Sequence, residues 1–325
     1  MTGAASAGIA SAGLSALSVG LPAHAGPSDV PPPLTAVRLL TEWAPEAVPL
    51  VAIVVVAGVY LYGVQVLRRR GDPWSPWRTV SFVGLGMGSA VLATSSALAA
   101  YDTVLLSVHM VQHMVLAMLV PIFTALGAPV TLALRTLPAR PRSVLLSVIH
   151  SAPARVLTHP LVAAVLYVVN PFVLYFSGLY EATLRNPWLH DINHLHFVLV
   201  GSLWFWSVLG LDPLPSRPSH PVRLLAVFVT LPFHAFLGVA IMSMSSLIAG
   251  NWYAGLDRAW GPSPLEDQRL AGGLLWSSGD VIGIVVFCAL FVQWASASQR
   301  EAEREDRRLD RLEAARAAGT PGQVR

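Results

Sequence analysis

A chain of 325 residues with 54% apolar letters and only 12% charged ones is not built like a soluble domain, in which about 25% of residues are charged. All 21 basic residues are Arg and none is Lys, which excludes Schiff-base chemistry on lysine and the phosphate-binding loop, whose motif requires Lys. The single cysteine, Cys288, permits no internal disulfide and no CxxC metal or redox pair, so any metal must rely on His, Met, carboxylate or backbone.

Residues 1–25 end in Ala23-His24-Ala25 after a Gly/Ala/Ser/Leu run, the pattern of a secretory signal peptide, with a weak extra helix as the alternative. Residues 26–47 form a Pro-rich extracytoplasmic lead-in. Seven apolar stretches follow, at about 48–67, 79–100, 104–126, 159–179, 193–211, 221–249 and 272–295, each near the length needed to cross a bilayer. They predict an all-α fold, a polytopic membrane helical bundle over residues 48–295. Pro121, Pro171 and Pro232 lie inside the third, fourth and sixth stretches and should kink them or free a backbone carbonyl. Residues 143–150 are too short to cross. Residues 296–325 make a charged helical tail, laced by weak pairs such as Glu303–Arg307 and Glu305–Arg308.

Arg68, Arg69, Arg70 and Arg78 follow the first stretch, and Arg135, Arg140, Arg142 and Arg155 the third. Arg217 and Arg223 follow the fifth, and the tail is rich in Arg. The alternate loops hold only Arg38, Arg185, Arg258 and Arg269. The positive-inside rule therefore puts the N-terminus outside and the C-terminus in the cytoplasm of a multi-pass cell-membrane protein. The basic balance is thereby explained without a nucleic-acid partner.

Ionisable residues inside spans are costly and mark function by default. His109 and His113 stand at i,i+4 on one helix face, beside a stripe of Met110, Met114 and Met118. Such a His pair can chelate a metal, and thioethers select Cu(I). Taken alone, each signal is more simply core packing. The fifth stretch opens with His190, His194 and His196, the sixth carries His234 after Pro232, and the seventh carries Asp280. On the predicted topology these intramembrane histidines all fall in the outer half, whereas His150, His159 and His220 lie near cytoplasmic loops. That segregation favours a shared metal or haem site. Asp102 is less informative.

The blocks His109-Met110-Val111-Gln112-His113-Met114, Asn170-Pro171 through Tyr180, and His190 through Asp212-Pro213 resemble a known family. So do Leu231 through Val239 and Asp267-Gln268 through Asp280. In this order they resemble the bacterial caa3-type cytochrome c oxidase assembly factor family, CtaG. The resemblance covers about residues 80–295, and the chain is similar to the actinobacterial branch. It implies a non-enzymatic membrane factor that matures haem–copper oxidase, supplying copper as Cu(I) from the outer face. The partners it implies are oxidase subunits and extracytoplasmic copper chaperones. The ligands it implies are His109, His113, His194, His196 and His234, with Met110, Met114, His190 and Asp280 as further candidates. Three other readings stay open: an intramembrane zinc-dependent hydrolase using His109, His113, His234 and Asp280, a b-type haem protein, and a metal-free scaffold.

Overall fold

The computed structural model describes residues 30–215 and 218–318, so the expectations for residues 1–25 fall outside it. Among the described residues, regular structure is helical apart from one bridge pairing Trp43 with Ser96. The frame is built from α1 (Ala47–Arg69), α2 (Leu106–Leu126), α3 (Pro160–Tyr175), α4 (Leu179–Arg185), α5 (Pro187–Leu209), α6 (His220–Ser243) and α7 (Pro264–Ala318). Of these, α1, α2, α5, α6 and α7 are each long and apolar enough to cross a membrane. A sixth crossing is made if α3 and α4, bent by 67°, act together.

Of the seven crossings expected from the sequence, five or six are thus long apolar helices or a bent pair of them. The difference lies in residues 79–100. The chain is helical from Pro76 to Ser95 but widens into a π-helix over Val80–Met87, where Gly84, Gly86 and Gly88 weaken the regular turn. It stops at Ser96, whose extended backbone lets Oγ accept the Leu98 N–H at 3.2 Å. This broken run still carries the chain from one end of the bundle to the other. At one end Arg135 donates to the Pro73 carbonyl, and at the other Trp252 Nε1 donates to the Thr103 carbonyl.

The histidine-bearing helix α2 is the centre of the bundle: 72% of its apolar window is buried, against 22% for α1. It packs on α5 and α7, while α6 lies along α7 and α3 fills the angle between α5 and α6. Pro121 offers no N–H to the Ala117 carbonyl, and α2 widens into a π-turn over Val115–Leu119 just before it. Gly201 of α5 presses on that carbonyl so closely that no Cβ would fit. The α6–α7 crossing is equally tight. A Cβ on Gly238 would lie 2.6 Å from the Gly272 carbonyl oxygen, and the converse distance is the same.

At the end holding Arg135, Asp212 caps the helix Pro129–Thr136 through the Thr131 N–H at 2.8 Å and its Oγ1 at 2.6 Å. Arg223 closes the same end on the Val208 and Leu209 carbonyls. The helix Ala139–Ile149 is too short to cross, as expected, and lies exposed. Helix α7 runs on through residues 296–314, with Glu303–Arg307 at 3.8 Å and Glu305–Arg308 at 3.4 Å.

Candidate metal centre

The site begins with a turn. The short helix Ala97–Tyr101 ends at Asp102, and the chain passes through Thr103–Leu105 into α2. Three long-range contacts hold this turn. Tyr101 Oη donates to the Pro32 carbonyl at 2.9 Å, and Trp252 Nε1 donates to Thr103 O at 2.8 Å. Asp267 of α7 accepts the Leu106 N–H at 2.6 Å and the Ser107 hydroxyl at 2.5 Å. A carboxylate at a helix N-terminus satisfies donors that the helix leaves orphaned and meets the positive end of its dipole. The Asp102 side chain, 1% exposed, is thereby aimed into the bundle.

The second part comes from α5. Asn186 Oδ1 accepts the Trp188 N–H at 3.0 Å and Pro187 takes the first helical position, a strong start signal. The helix therefore begins before residue 193, where the apolar pattern had placed it. His190 and His194 fall on successive turns of its buried face. His196 does not join them. Two residues along a helix is a rotation of about 200°, and His196 sits exposed on the flank, 2.7 Å from Asn170 Oδ1.

Asp102, His190 and His194 converge, each offering a ligand atom within 4.8 Å of the others, all buried. Asp102 Oδ2 is 2.9 Å from His190 Nε2 and 3.8 Å from His194 Nε2, and the two imidazole centroids are 4.4 Å apart. Gln112 of α2 orients His194, with Oε1 3.1 Å from its Nε2 and its amide donating to Ala93 O at 3.0 Å. The other Asp102 oxygen, Oδ1, is buried without a hydrogen-bond partner among the described residues. A buried carboxylate oxygen left so is expensive, and a cation would satisfy it. The rim is acidic too. Glu46, just before α1, is pushed up to about 8 by burial, then by the charge of neighbouring Asp191 and a hydrogen bond to it.

The remaining predicted residues fall on other levels. His109 and His113 do share a face, but both turn to Tyr175 of α3, whose hydroxyl lies 3.2 Å from His109 Nε2 and 2.8 Å from His113 Nδ1. The His109 ring is 6.0 Å from His190, so it adjoins the triad without entering it. His234 stacks on Tyr167 at 5.7 Å and lines a small cavity with His113 and Met114. Met110 is buried in the apolar core. Asp280 is half-buried on α7, and no hydrogen bond or ion pair joins it to a histidine among the described residues. The single His/Met cluster expected from the sequence is thus divided, and the converged part contains Asp102, which spacing did not single out. Two imidazoles and a carboxylate suit borderline divalent ions, and no methionine belongs to this set.

Residues 58–297, which include the whole triad, match the family described as cytochrome c oxidase caa3 assembly factor (Caa3_CtaG). The chain belongs to this family. As a Caa3_CtaG protein with several candidate spans it is a multi-pass membrane protein. It is 39% identical over 289 residues to uncharacterized proteins of Mycobacterium bovis and Mycobacterium tuberculosis. It is 36% identical over 290 residues to one of Mycobacterium leprae. These alignments cover 87% of this chain but 44% of each relative, so the chain spans less than half the length of the curated relatives it matches. No solved structure matches it.

Proposed function

We propose that this Caa3_CtaG protein is a non-enzymatic assembly factor that takes up copper as cargo from the extracytoplasmic side and hands it to cytochrome c oxidase during maturation. The carrying observation is the buried convergence of Asp102, His190 and His194 at the end of the bundle built from the turn 102–105, the start of α5 and the loop before α7. The Arg distribution assigns that end to the outside. The donors fit the cargo: imidazole binds copper in either oxidation state, and the carboxylate offsets part of the charge of a divalent ion. The partners of this reading are oxidase subunits and extracytoplasmic copper chaperones.

Asp102 has the further role of fixing ring orientation, since its Oδ2 at 2.9 Å selects which nitrogen of His190 carries the proton when no metal is bound. A second reading is favoured by the donor set itself. Two His and one carboxylate also describe zinc sites that activate water, which would make the chain a zinc-dependent hydrolase. Metal analysis of the full chain purified after growth with both metals separates the two. Copper together with loss of oxidase maturation in His190→Ala cells supports the assembly role. Stoichiometric zinc with lipid-hydrolysing activity overturns it.

A further inference from the structure

Below the triad the bundle holds a second group of donors that the triad does not use. His113 of α2 and His234 of α6 line one cavity of about 10 Å³ together with Met114, Tyr167 and Asn170. That is room for one small ion or one water. His113 spends Nδ1 on Tyr175, which leaves its Nε2 for the cavity, and its ring is fixed by stacking on Phe197 at 3.7 Å. The His234 ring, only 9% exposed, makes no hydrogen bond among the described residues. It is nevertheless held rigidly. Tyr167 stacks on one side, and Gly279 of α7 packs against the ring so closely that a Cβ there would collide with it.

We propose that this cavity is a second metal site, a stopping place for a soft monovalent cation, Cu(I), held by His113, His234 and the Met114 thioether. The inference rests on the copper reading of the outer triad and adds to it a second step and a selection rule. Every donor here is neutral. The cost of moving an ion into a low-dielectric interior rises steeply with its charge, so a neutral nitrogen and sulfur set favours a monovalent ion over a divalent one. Thioether and imidazole donors favour Cu(I) on softness as well. The outer triad, with its carboxylate, has no such preference. His109 lies between the two, its ring 6.0 Å from His190 and 6.3 Å from His113. The imidazoles thus form a ladder from the outer triad to the inner cavity.

The test is anaerobic titration of the full chain in lipid nanodiscs with Cu(I), against a coloured Cu(I) chelator. Two equivalents per chain are expected, with one lost in His234→Gln and the other in Asp102→Asn. Met114→Leu should weaken only the inner equivalent and remove sulfur from its X-ray absorption spectrum, which keeps the assignment independent of any folding defect in the histidine variant. Saturating Zn(II) should block one equivalent and leave one. A single equivalent lost in Asp102→Asn but kept in His234→Gln and Met114→Leu overturns the inner site and leaves the outer reading standing. A single equivalent with the opposite response overturns the outer reading and keeps the inner site, and no binding at all overturns both.

Discussion

Asp102 and His190 meet across 88 positions of sequence, Oδ2 to Nε2 at 2.9 Å, both side chains 1% exposed. The contact joins the turn before α2 to the first turns of α5. Neither residue has freedom to move, because Asp267 clamps one element and Asn186 starts the other.

Removing either partner should therefore affect metal before it affects folding. Second-shell changes at metal sites cost about 10–100-fold in affinity, and loss of a direct ligand costs at least as much. His190→Ala, His194→Ala and Asp102→Asn should each weaken metal binding by about 100-fold or more, measured by chelator competition. Their amount in membranes should stay near normal because packing of the other helices holds the bundle. Metal binding unchanged in all three would show that the triad is only a packed polar cluster.

His196→Ala provides the contrast. Its ring faces away from the triad and bonds Asn170 on the flank, so metal affinity should stay within about twofold of the native value, while a hydrogen bond worth about 1 kcal/mol is lost. His150→Ala, at an exposed helix end, should be silent in the same assay. A ligand-sized defect in His196→Ala would return it to the metal set.

Asp267 tests positioning. Asp267→Asn keeps its shape but removes the charge from the bonds to Leu106 and Ser107, and hydrogen bonds to a charged group contribute about 1.5–3 kcal/mol. A lower thermal midpoint is expected together with weaker metal binding, since the turn it clamps carries Asp102. A fall in stability alone, with metal affinity intact, would make Asp267 purely structural.

Glu46 sets a pH dependence. Folded, it keeps its proton up to about 8, whereas the unfolded chain releases it near 4.5, the ordinary value for a glutamate. Between those values the unfolded state binds fewer protons, so stability must fall as pH rises. Its contribution is complete below 4.5 and lost on passing about 8. The thermal midpoint of the metal-free protein should drop between pH 6 and 9, and Glu46→Gln should flatten that slope. An equal slope in the variant would exclude Glu46 as its source.

Orientation has its own test. A reporter active only outside the cytoplasm should work when fused near Arg185 or Arg258 and fail near Arg140 or after Arg300. The reverse pattern would place the triad on the cytoplasmic face and remove the extracytoplasmic uptake step.

Much of this arrangement is legible in the residues. The apolar stretches locate α1, α2, α5, α6 and α7, and the i,i+4 spacing correctly puts His109 and His113 on one face. The stretch at 79–100 does span the bundle, but hydropathy does not register the glycines that widen it or the break at Ser96. His196 misleads because proximity in sequence was allowed to stand for proximity in space. The Asn186-Pro187 start signal would have corrected the register of α5. Asp102 lies in a turn, where no helical period connects it to His190. Its one sequence signal is that it is a carboxylate closing the run Ala97-Leu98-Ala99-Ala100-Tyr101, where burial without a partner would be costly.

The contact between Gly238 and Gly272, backbone to backbone at the α6–α7 crossing, also has a mechanical side. From Gly272 the same helix continues to Ala318, a contour of about 69 Å at the standard rise per residue. A tilt of about 5° at that fulcrum would sweep the far tip through roughly 6 Å, by the same rise. The crossing lies one helical turn from His234 and two from Gly279, so a strain of a few tenths of an ångström around the imidazole arrives at the distant end magnified. A pair of spin labels, one on the tail and one on the Ala139–Ile149 helix, would register that motion as a change in distance.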